Sequence, residues 1–215
     1  MNLIINYGAN PKNIVLCDTK GVCYKGRKEG MNEFKERLAI NTSARTFQDA
    51  CVGADVLIGV SAPGAFNETI LKSLNERPII FAMANPEPEV RPELALKVRP
   101  DCIIATGRSD YPNQINNVMC FPFLFRATLD VRAKQINEEM KMAAAMALAN
   151  LARKPVPESV RKAIPGRDFV FGKEYIIPTP FDPRLIFELP VAVAKAAMKS
   201  GIAQNHIYDF DEYKR

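Results

Sequence analysis

Four short apolar runs are the feature of this 215-residue sequence that most restricts its fold. Each run is four to six residues long and apolar almost throughout, which is typical of strands buried on both faces. Segments with the spacing of amphipathic helices separate the runs, and this alternation indicates parallel strands joined by helical crossovers. The runs lie at residues 13–18, 55–60, 78–83 and 102–105. The sequence therefore predicts an α/β protein with a Rossmann-like, doubly wound and mostly parallel sheet, followed by a C-terminal helical segment.

The predicted helices are short in the first half of the chain and longer in the second. An opening helix over residues 1–8 ends at Gly8, and a Thr46 cap with Asp49 begins another at 46–51. The apolar stripe of residues 127–153 predicts one long helix. Residues 190–200 predict a final helix that begins at Pro190. The other predicted helices cover residues 31–38, 67–74 and 91–98.

A polar segment, residues 106–117, follows the last apolar run and is the main candidate for a binding site. It contains Gly, Arg, Ser, Asp, Tyr, Pro, Gln and three Asn residues. A loop at the carboxyl end of a buried strand is where open α/β sheets place their ligands. A solvated loop between two core segments is the alternative. Two other predicted strands also end in small or polar clusters, and this favours a site formed by three loops.

Composition excludes several classes of protein. The chain is 47% hydrophobic but has no apolar run of about 18 residues, so we expect no membrane span and a cytoplasmic location. Its net charge of +5 is spread along the chain, which does not favour nucleic-acid binding. The five cysteines form no Cys-x-x-Cys pair and are expected to be core thiols, and no metal site is predicted. Histidine catalysis is not expected, because His206 is the only histidine.

Individual candidates come from the ends of the predicted strands. Asp18 is placed to accept hydrogen bonds from an adenosine ribose, or to cap a turn. The next loop carries the cations Lys20, Lys25, Arg27 and Lys28, which could meet a 2′-phosphate or be solvated loop charges. The small residues from Ser61 onward allow a flat ligand to approach the backbone, although tight packing explains them equally well. Asn85 can donate and accept hydrogen bonds, and Asn before Pro also begins ordinary turns.

Several stretches together make the chain similar to a known family. They are 13–22 (NIVLCDTKGV), 24–27 (YKGR), 84–89 (ANPEPE), 106–118 (TGRSDYPNQINNV), 136–141 (INEEMK) and 177–185 (IPTPFDPRL). The chain resembles the NAD(P)-binding domain of malic enzymes, most closely the bacterial NADP-dependent type. The resemblance implies a partial NAD(P)-binding domain over residues 1–125 and a helical extension over 126–215 that packs on it.

The resemblance also implies roles for individual residues. Asp18 and the loop after it would hold the adenosine ribose, and Val60 and Ser61 would line the dinucleotide. Asn85 and Asn117, with Asn116 beside it, would bind the malate carboxylate and the nicotinamide ribose. The family transfers a hydride from malate to NADP or NAD. Mg²⁺ or Mn²⁺ in the complete enzyme then stabilises the enolate as carbon dioxide leaves and pyruvate forms.

Other parts of the family pattern do not occur in these 215 residues. There is no Gly-x-Gly-x-x-Gly turn, and no upstream domain supplies the proton-transferring tyrosine and lysine, so no catalytic residue is assigned. We expect a sheet incomplete at its N-terminal side, with a gap between 13–18 and 78–83. Activity would then need the family's N-terminal domain as a partner, or a homo-oligomer. The alternative is a non-catalytic fragment that acts as an oligomerisation or binding module. The Asp18 charge favours NAD, whereas Lys20, Lys25 and the family type favour NADP.

Overall fold

The structure is a computed structural model that describes residues 1–167 and 169–214. Its strands are β1 (Cys17–Asp18), β2 (Gly21–Val22), β3 (Val56–Gly59), β4 (Ile79–Ala82) and β5 (Ile103–Thr106). Its helices are α1 (Asn2–Asn6), α2 (Glu33–Leu38), α3 (Phe47–Cys51), α4 (Glu68–Ser73), α5 (Pro92–Val98), α6 (Phe121–Asp130), α7 (Glu138–Ala152), α8 (Glu158–Ala163), α9 (Leu185–Lys199) and α10 (Phe210–Tyr213). Single 3₁₀ turns lie at Pro11–Asn13 and Asn117–Met119. The chain packs into two compact units, and the second begins at Ala105.

A three-stranded sheet in the order β3-β4-β5 forms the centre of the first unit. β3 and β4 are parallel, with Leu57 opposite Ile80, and β5 continues the sheet on the other side of β4. Buried side chains from the strands and from α3, α4 and α5 form one apolar core, which includes Leu57, Leu71 and Ile80. A parallel pair of strands in a three-stranded sheet with helices packed on it confirms the predicted Rossmann-like α/β class. One face of β3 stays partly exposed, at Val56 and Ile58.

The predicted strand at 13–18 is wrong in most of its length. Asn10 caps the 3₁₀ turn at Pro11–Asn13, and only the two residues of β1 form a paired strand. Gly21 has a φ of 97°, and this turn brings β2 back antiparallel to β1. The predicted gap beside residues 78–83 is also wrong, because β4 is the central strand with a neighbour on each side. Among the described residues, β3 and β5 are both edge strands of this sheet, and β5 adds one isolated bridge from Thr106 to Gln114.

The single long helix predicted at 127–153 is wrong, because α6 ends at Asp130 and α7 begins at Glu138. Arg132 lies in the left-handed region at a φ of 47°. The Val131 carbonyl accepts from the backbone N–H groups of residues 204 and 205 instead of continuing a helix. Asn137 then caps α7 by accepting from the Met140 N–H at 3.0 Å. Cap chemistry therefore ended a stripe that hydrophobic periodicity alone would have continued.

The final helix begins earlier than predicted, at Leu185 rather than at Pro190. Leu185 and Leu189 pack with Met119 and Leu151 in a buried cluster of the second unit. This packing extends α9 across Pro190, although a proline inside a helix removes one backbone hydrogen bond. α9 also packs against α6 and α7.

The cysteines and the helix lengths bear on the remaining composition-based predictions. None of the five cysteines forms a disulfide, and Cys23, Cys51 and Cys102 are buried, which confirms the prediction of core thiols for these three. Cys17 and Cys120 are half-buried. Burial raises the pKa of the Cys51 thiol to about 12. Within the described part of the chain, no helix has the length and apolar character needed to cross a membrane.

Candidate functional site

Asp18, at the end of β1, lies in a network of cations. Arg27 donates from Nη2 to both carboxylate oxygens at 2.8 Å, and Lys35 on α2 donates to Oδ2 at 2.6 Å. The backbone N–H of Lys20 donates to Oδ1 at 2.9 Å. We call Asp18, Lys20, Arg27 and Lys35 the Asp18 cluster. Asp18 caps the turn after β1, and its oxygens already accept several hydrogen bonds from the protein. Its contact with an adenosine ribose stays a prediction.

Arg27 is the buried member of the Asp18 cluster and holds its carboxylate in place. Only 8% of Arg27 is exposed, and its other N–H groups donate to the backbone carbonyls of Gly21, Val22 and Glu29 at 2.8–3.2 Å. A planar guanidinium suits this arrangement, because its donors diverge in a rigid fork. Arg27 thus ties the carboxylate to the loop that follows it.

The charges of the Asp18 cluster do not cancel. Partial burial opposes ionisation of Asp18, but hydrogen bonds from Lys35 and Arg27 outweigh it and lower the carboxyl pKa well below its ordinary value. The ionised carboxylate faces two cations, which leaves one positive charge in excess. Lys20 pairs with Glu29 at 2.7 Å, and the Lys25 side chain is exposed. Sequence reasoning missed Arg27 and Lys35 as partners, because they lie 9 and 17 residues beyond Asp18.

A second carboxylate, Glu89, lies at the carboxyl ends of β3 and β4. It is fully buried, and its Oε1 accepts from the Ser61 N–H at 2.6 Å and from the Ser61 hydroxyl at 3.1 Å. Its Oε2 accepts from the Ala84 N–H at 3.0 Å. A Cβ at Gly59 would lie 2.5 Å from the Glu89 carboxyl carbon, so only glycine fits there. We call Gly59, Ser61, Ala84 and Glu89 the Glu89 cluster.

Val60, Ser61 and Asn85, which the sequence predicts to bind the cofactor or the substrate, lie in or next to the Glu89 cluster in the chain. Val60 is 79% exposed, and Ser61 and Asn85 are also exposed. Because Glu89 takes the Ser61 N–H, that amide is not free to bind a ligand, whereas the Ser61 oxygen can still accept a hydrogen bond. Glu89 is the last residue of the ANPEPE stretch, and the sequence alone assigns it no role. Its signal was weak, because Glu beside Pro looks like a solvated turn.

The polar segment 106–117 belongs to the second unit, and internal hydrogen bonds hold it. Asn113 is buried, donates to the Lys173 carbonyl at 2.7 Å and accepts from the Ile176 N–H at 2.9 Å. The Asn116 oxygen accepts from the Val118 N–H at 3.0 Å, and Asn117 is exposed. The segment is therefore an anchored loop rather than a loosely solvated one. Asn113 was not singled out from the sequence.

The second unit also contains a cleft and a buried tyrosine hydroxyl. A cleft of about 260 Å³ in the second unit is lined by residues that include Asn113, Arg167 and Tyr175. The buried Tyr175 hydroxyl has no hydrogen-bond partner among the described residues, and burial raises its pKa to about 12. No group of three or more His, Cys, Asp or Glu side chains that could hold a metal ion occurs in the part of the chain that the structure describes.

Comparison with known proteins identifies the family. Residues 6–165 match the family described as "Malic enzyme, NAD binding domain". The chain belongs to the malic enzyme family. It is 56% identical over 213 residues to the NADP-dependent malic enzyme of Rhizobium meliloti and 49% identical over 213 residues to the NAD-dependent malic enzyme of the same organism. Both matches cover 99% of this chain and 28% of the relative.

A solved structure agrees with this family assignment. The malic enzyme of Entamoeba histolytica superimposes with a TM-score of 0.83 at 34% identity, covering 99% of this chain and 43% of that one. The chain thus spans less than half the length of these malic enzymes. The predicted fold class and family are confirmed. The roles of Asp18, Asn85 and the other named site residues stay predictions.

Proposed function

We propose that this malic enzyme segment binds NADP in preference to NAD, and that it serves the oxidative decarboxylation of malate to pyruvate. The observation that carries the proposal is the excess positive charge of the Asp18 cluster. An isolated aspartate at this position would repel a 2′-phosphate, but here Arg27 and Lys35 more than neutralise it. Lys35 and Lys20 are then the cations that would meet the phosphate.

The remaining cofactor contacts follow from the ends of β3 and β4. Val60 and Ser61 would line the dinucleotide, with the Ser61 oxygen as an acceptor. Asn85 and Asn117, with Asn116 next to Asn117 in the chain, would bind the malate carboxylate and the nicotinamide ribose, because an amide can both donate and accept. The bound nicotinamide supplies the hydride acceptor, so these residues need only bind and orient. We assign no step to a metal on the described residues, because they offer no cluster of ligands.

The sheet edge supports a requirement for a partner. β3 is an edge strand among the described residues, and its Val56 and Ile58 side chains are about half exposed. Such an edge presents unpaired backbone groups and an apolar surface to another segment. The family's N-terminal domain, or a second copy of this chain, is the partner that we propose.

The test is malate-dependent reduction of NADP and of NAD by the purified chain with magnesium, with and without an added malic enzyme N-terminal domain. We expect activity only in the mixture, and faster with NADP. Replacing Asn85 with Ala in the active mixture should lower the rate. Failure of the folded pieces to recover activity together would contradict the proposal.

A second candidate function is that of a non-catalytic oligomerisation module. The observation that favours it is an apolar stripe on α6, formed by Phe121, Phe125 and Leu129, which are 59%, 45% and 71% exposed. Residues at this spacing lie on one face of a helix, and exposed apolar patches mark interaction surfaces. This function predicts a self-associating chain with negligible affinity for either dinucleotide. A monomer by light scattering, or sub-millimolar binding of NADP, would exclude it.

A further inference from the structure

Glu89 is a buried carboxylate whose hydrogen-bond donors are all uncharged. Two of its donors come from Ser61, 28 residues earlier, and the third is the backbone of Ala84. Within residues 1–167 and 169–214, the structure records no ion pair for Glu89. A buried carboxylate without a cation depends on its hydrogen bonds, and such charge-assisted bonds are stronger than neutral ones.

These donors belong to two different loops. Ser61 follows β3 and Ala84 follows β4, and β3 and β4 are parallel neighbours in the sheet. One carboxylate therefore joins the two loops at the edge of the sheet where both strands end. Glu89 is itself held in place, because its backbone carbonyl accepts from the Phe66 N–H at 3.1 Å.

The bonds to Glu89 also decide what the two loops offer to a ligand. Both Ser61 donors point at the same carboxylate oxygen, so the Ser61 oxygen presents its lone pairs outward as an acceptor. The Ala84 N–H is held next to Asn85, which is exposed. The buried Glu89 carboxylate thus fixes the backbones of Ser61 and Ala84, which flank the proposed dinucleotide site.

We propose that Glu89 is a positioning residue for dinucleotide binding, which sets the Val60–Ser61 and Ala84–Asn85 backbones through its three hydrogen bonds. This inference rests on the proposed function, because it takes NADP as the ligand. It predicts that loss of the carboxylate weakens dinucleotide binding while the strands β3 and β4 persist. A purely structural role would instead change global stability and leave the affinity of the folded protein unaltered.

The variant that tests the proposal is Glu89→Gln, which keeps the shape but turns one acceptor into a donor. The matched control is Glu87→Gln in the same Pro-rich stretch, whose carboxylate pairs with Arg91 at 2.9 Å. The NADP dissociation constants of the unaltered chain and of both folded variants are measured by calorimetry. We expect Glu89→Gln to weaken binding by about tenfold to a hundredfold, the range for a lost hydrogen bond to a charged group, and Glu87→Gln to leave it unaltered.

A second measurement separates failure of this inference from failure of the proposed function. Amide NMR of the unaltered chain should show the Ser61 and Ala84 protons shifted downfield and protected from exchange, whether or not NADP binds. Unprotected amides, or equal NADP affinity in folded Glu89→Gln, would overturn the role of Glu89 alone. If the unaltered chain binds neither dinucleotide, both the proposed function and this role are wrong. If Glu89→Gln does not fold, the NADP titration is made with Glu89→Asp, whose shorter side chain cannot reach both loops, and an unaltered affinity in that folded variant would overturn the role of Glu89.

Discussion

Two carboxylates at strand ends, Asp18 and Glu89, are stabilised in opposite ways. Asp18 keeps 17% of its side chain exposed and is held by Arg27 and Lys35. Glu89 is fully buried and is held only by uncharged donors. The first arrangement creates a positive surface, and the second fixes backbone geometry. We therefore propose that the same functional group serves charge recognition in one place and positioning in the other.

The largest expected effect is on stability, from removal of Arg27, the most buried cation of the Asp18 cluster. Arg27→Met should lower the free energy of unfolding by about 3–5 kcal/mol, because three backbone carbonyls lose a donor and the Asp18 carboxylate keeps only Lys35 and the Lys20 N–H. Urea unfolding measures this loss. The control is Arg37→Met, whose exposed pair with Glu33 spans 3.7 Å and should contribute less than about 0.5 kcal/mol. Equal losses in the two variants would contradict the role given to Arg27.

The stability of the Glu89 cluster should be sensitive to added volume at Gly59. Gly59→Ala places a methyl group 2.5 Å from the Glu89 carboxylate and 2.6 Å from the Phe66 ring, and should cost about 1–3 kcal/mol. Gly172→Ala is the control, because its nearest neighbour would be at an ordinary 3.7 Å. Thermal unfolding of both variants checks this. A Gly59→Ala protein as stable as the control would show that Glu89 and Phe66 can move to make room for the methyl group.

Acid should weaken the Asp18 cluster in a defined direction. The folded-state pKa of Asp18 is lowered, so its stabilisation is present above the unfolded pKa of about 3.9 and disappears as the pH falls through the folded value. Asp18→Asn should be less stable than the unaltered chain at pH 7, and the difference should shrink below about pH 4. Unfolding free energies across pH 2–7 measure it. A difference that does not vary with pH would show that the Asp18 charge contributes little.

The smallest expected effects concern the choice of cofactor. In an active assembly, replacing Lys20 and Lys25 together with Ala should raise the Michaelis constant for NADP about threefold to tenfold and change that for NAD less. Lys35→Ala should act in the same direction, because it removes a cation of the Asp18 cluster. Lys72→Ala, which removes an exposed pair on α4, is the control. Equal changes for NADP and NAD would remove these lysines from 2′-phosphate recognition.

Much of the sheet could be predicted from the sequence. The runs at 55–60, 78–83 and 102–105 contain β3, β4 and all but the last residue of β5, because apolar runs bounded by turn residues are a local signal. The Thr46–Asp49 capping box at α3 is also present as predicted. The predicted helix at 127–153 failed where Asn137 caps a new helix inside an unbroken apolar stripe. Local periodicity carries no information about such a cap.

The candidate site was predictable only in part, because its decisive contacts are distant in sequence. Asp18 was singled out, but Lys35 reaches it from 17 residues away. Glu89 was quoted in a recognised stretch, yet nothing in that stretch indicates that its carboxylate turns inward to a loop 28 residues earlier. The residue types at strand ends are enough to predict that a site lies there. The partners that set the charge and geometry of those residues can be identified only from the three-dimensional structure.

The most direct test of the central claim is calorimetric titration of the purified, folded chain with NADPH and, separately, with NADH. We predict sub-millimolar binding of NADPH and weaker binding of NADH, because the Asp18 cluster carries a surplus of positive charge. A folded chain that binds neither at millimolar concentration, or that binds NADH more tightly, would contradict it.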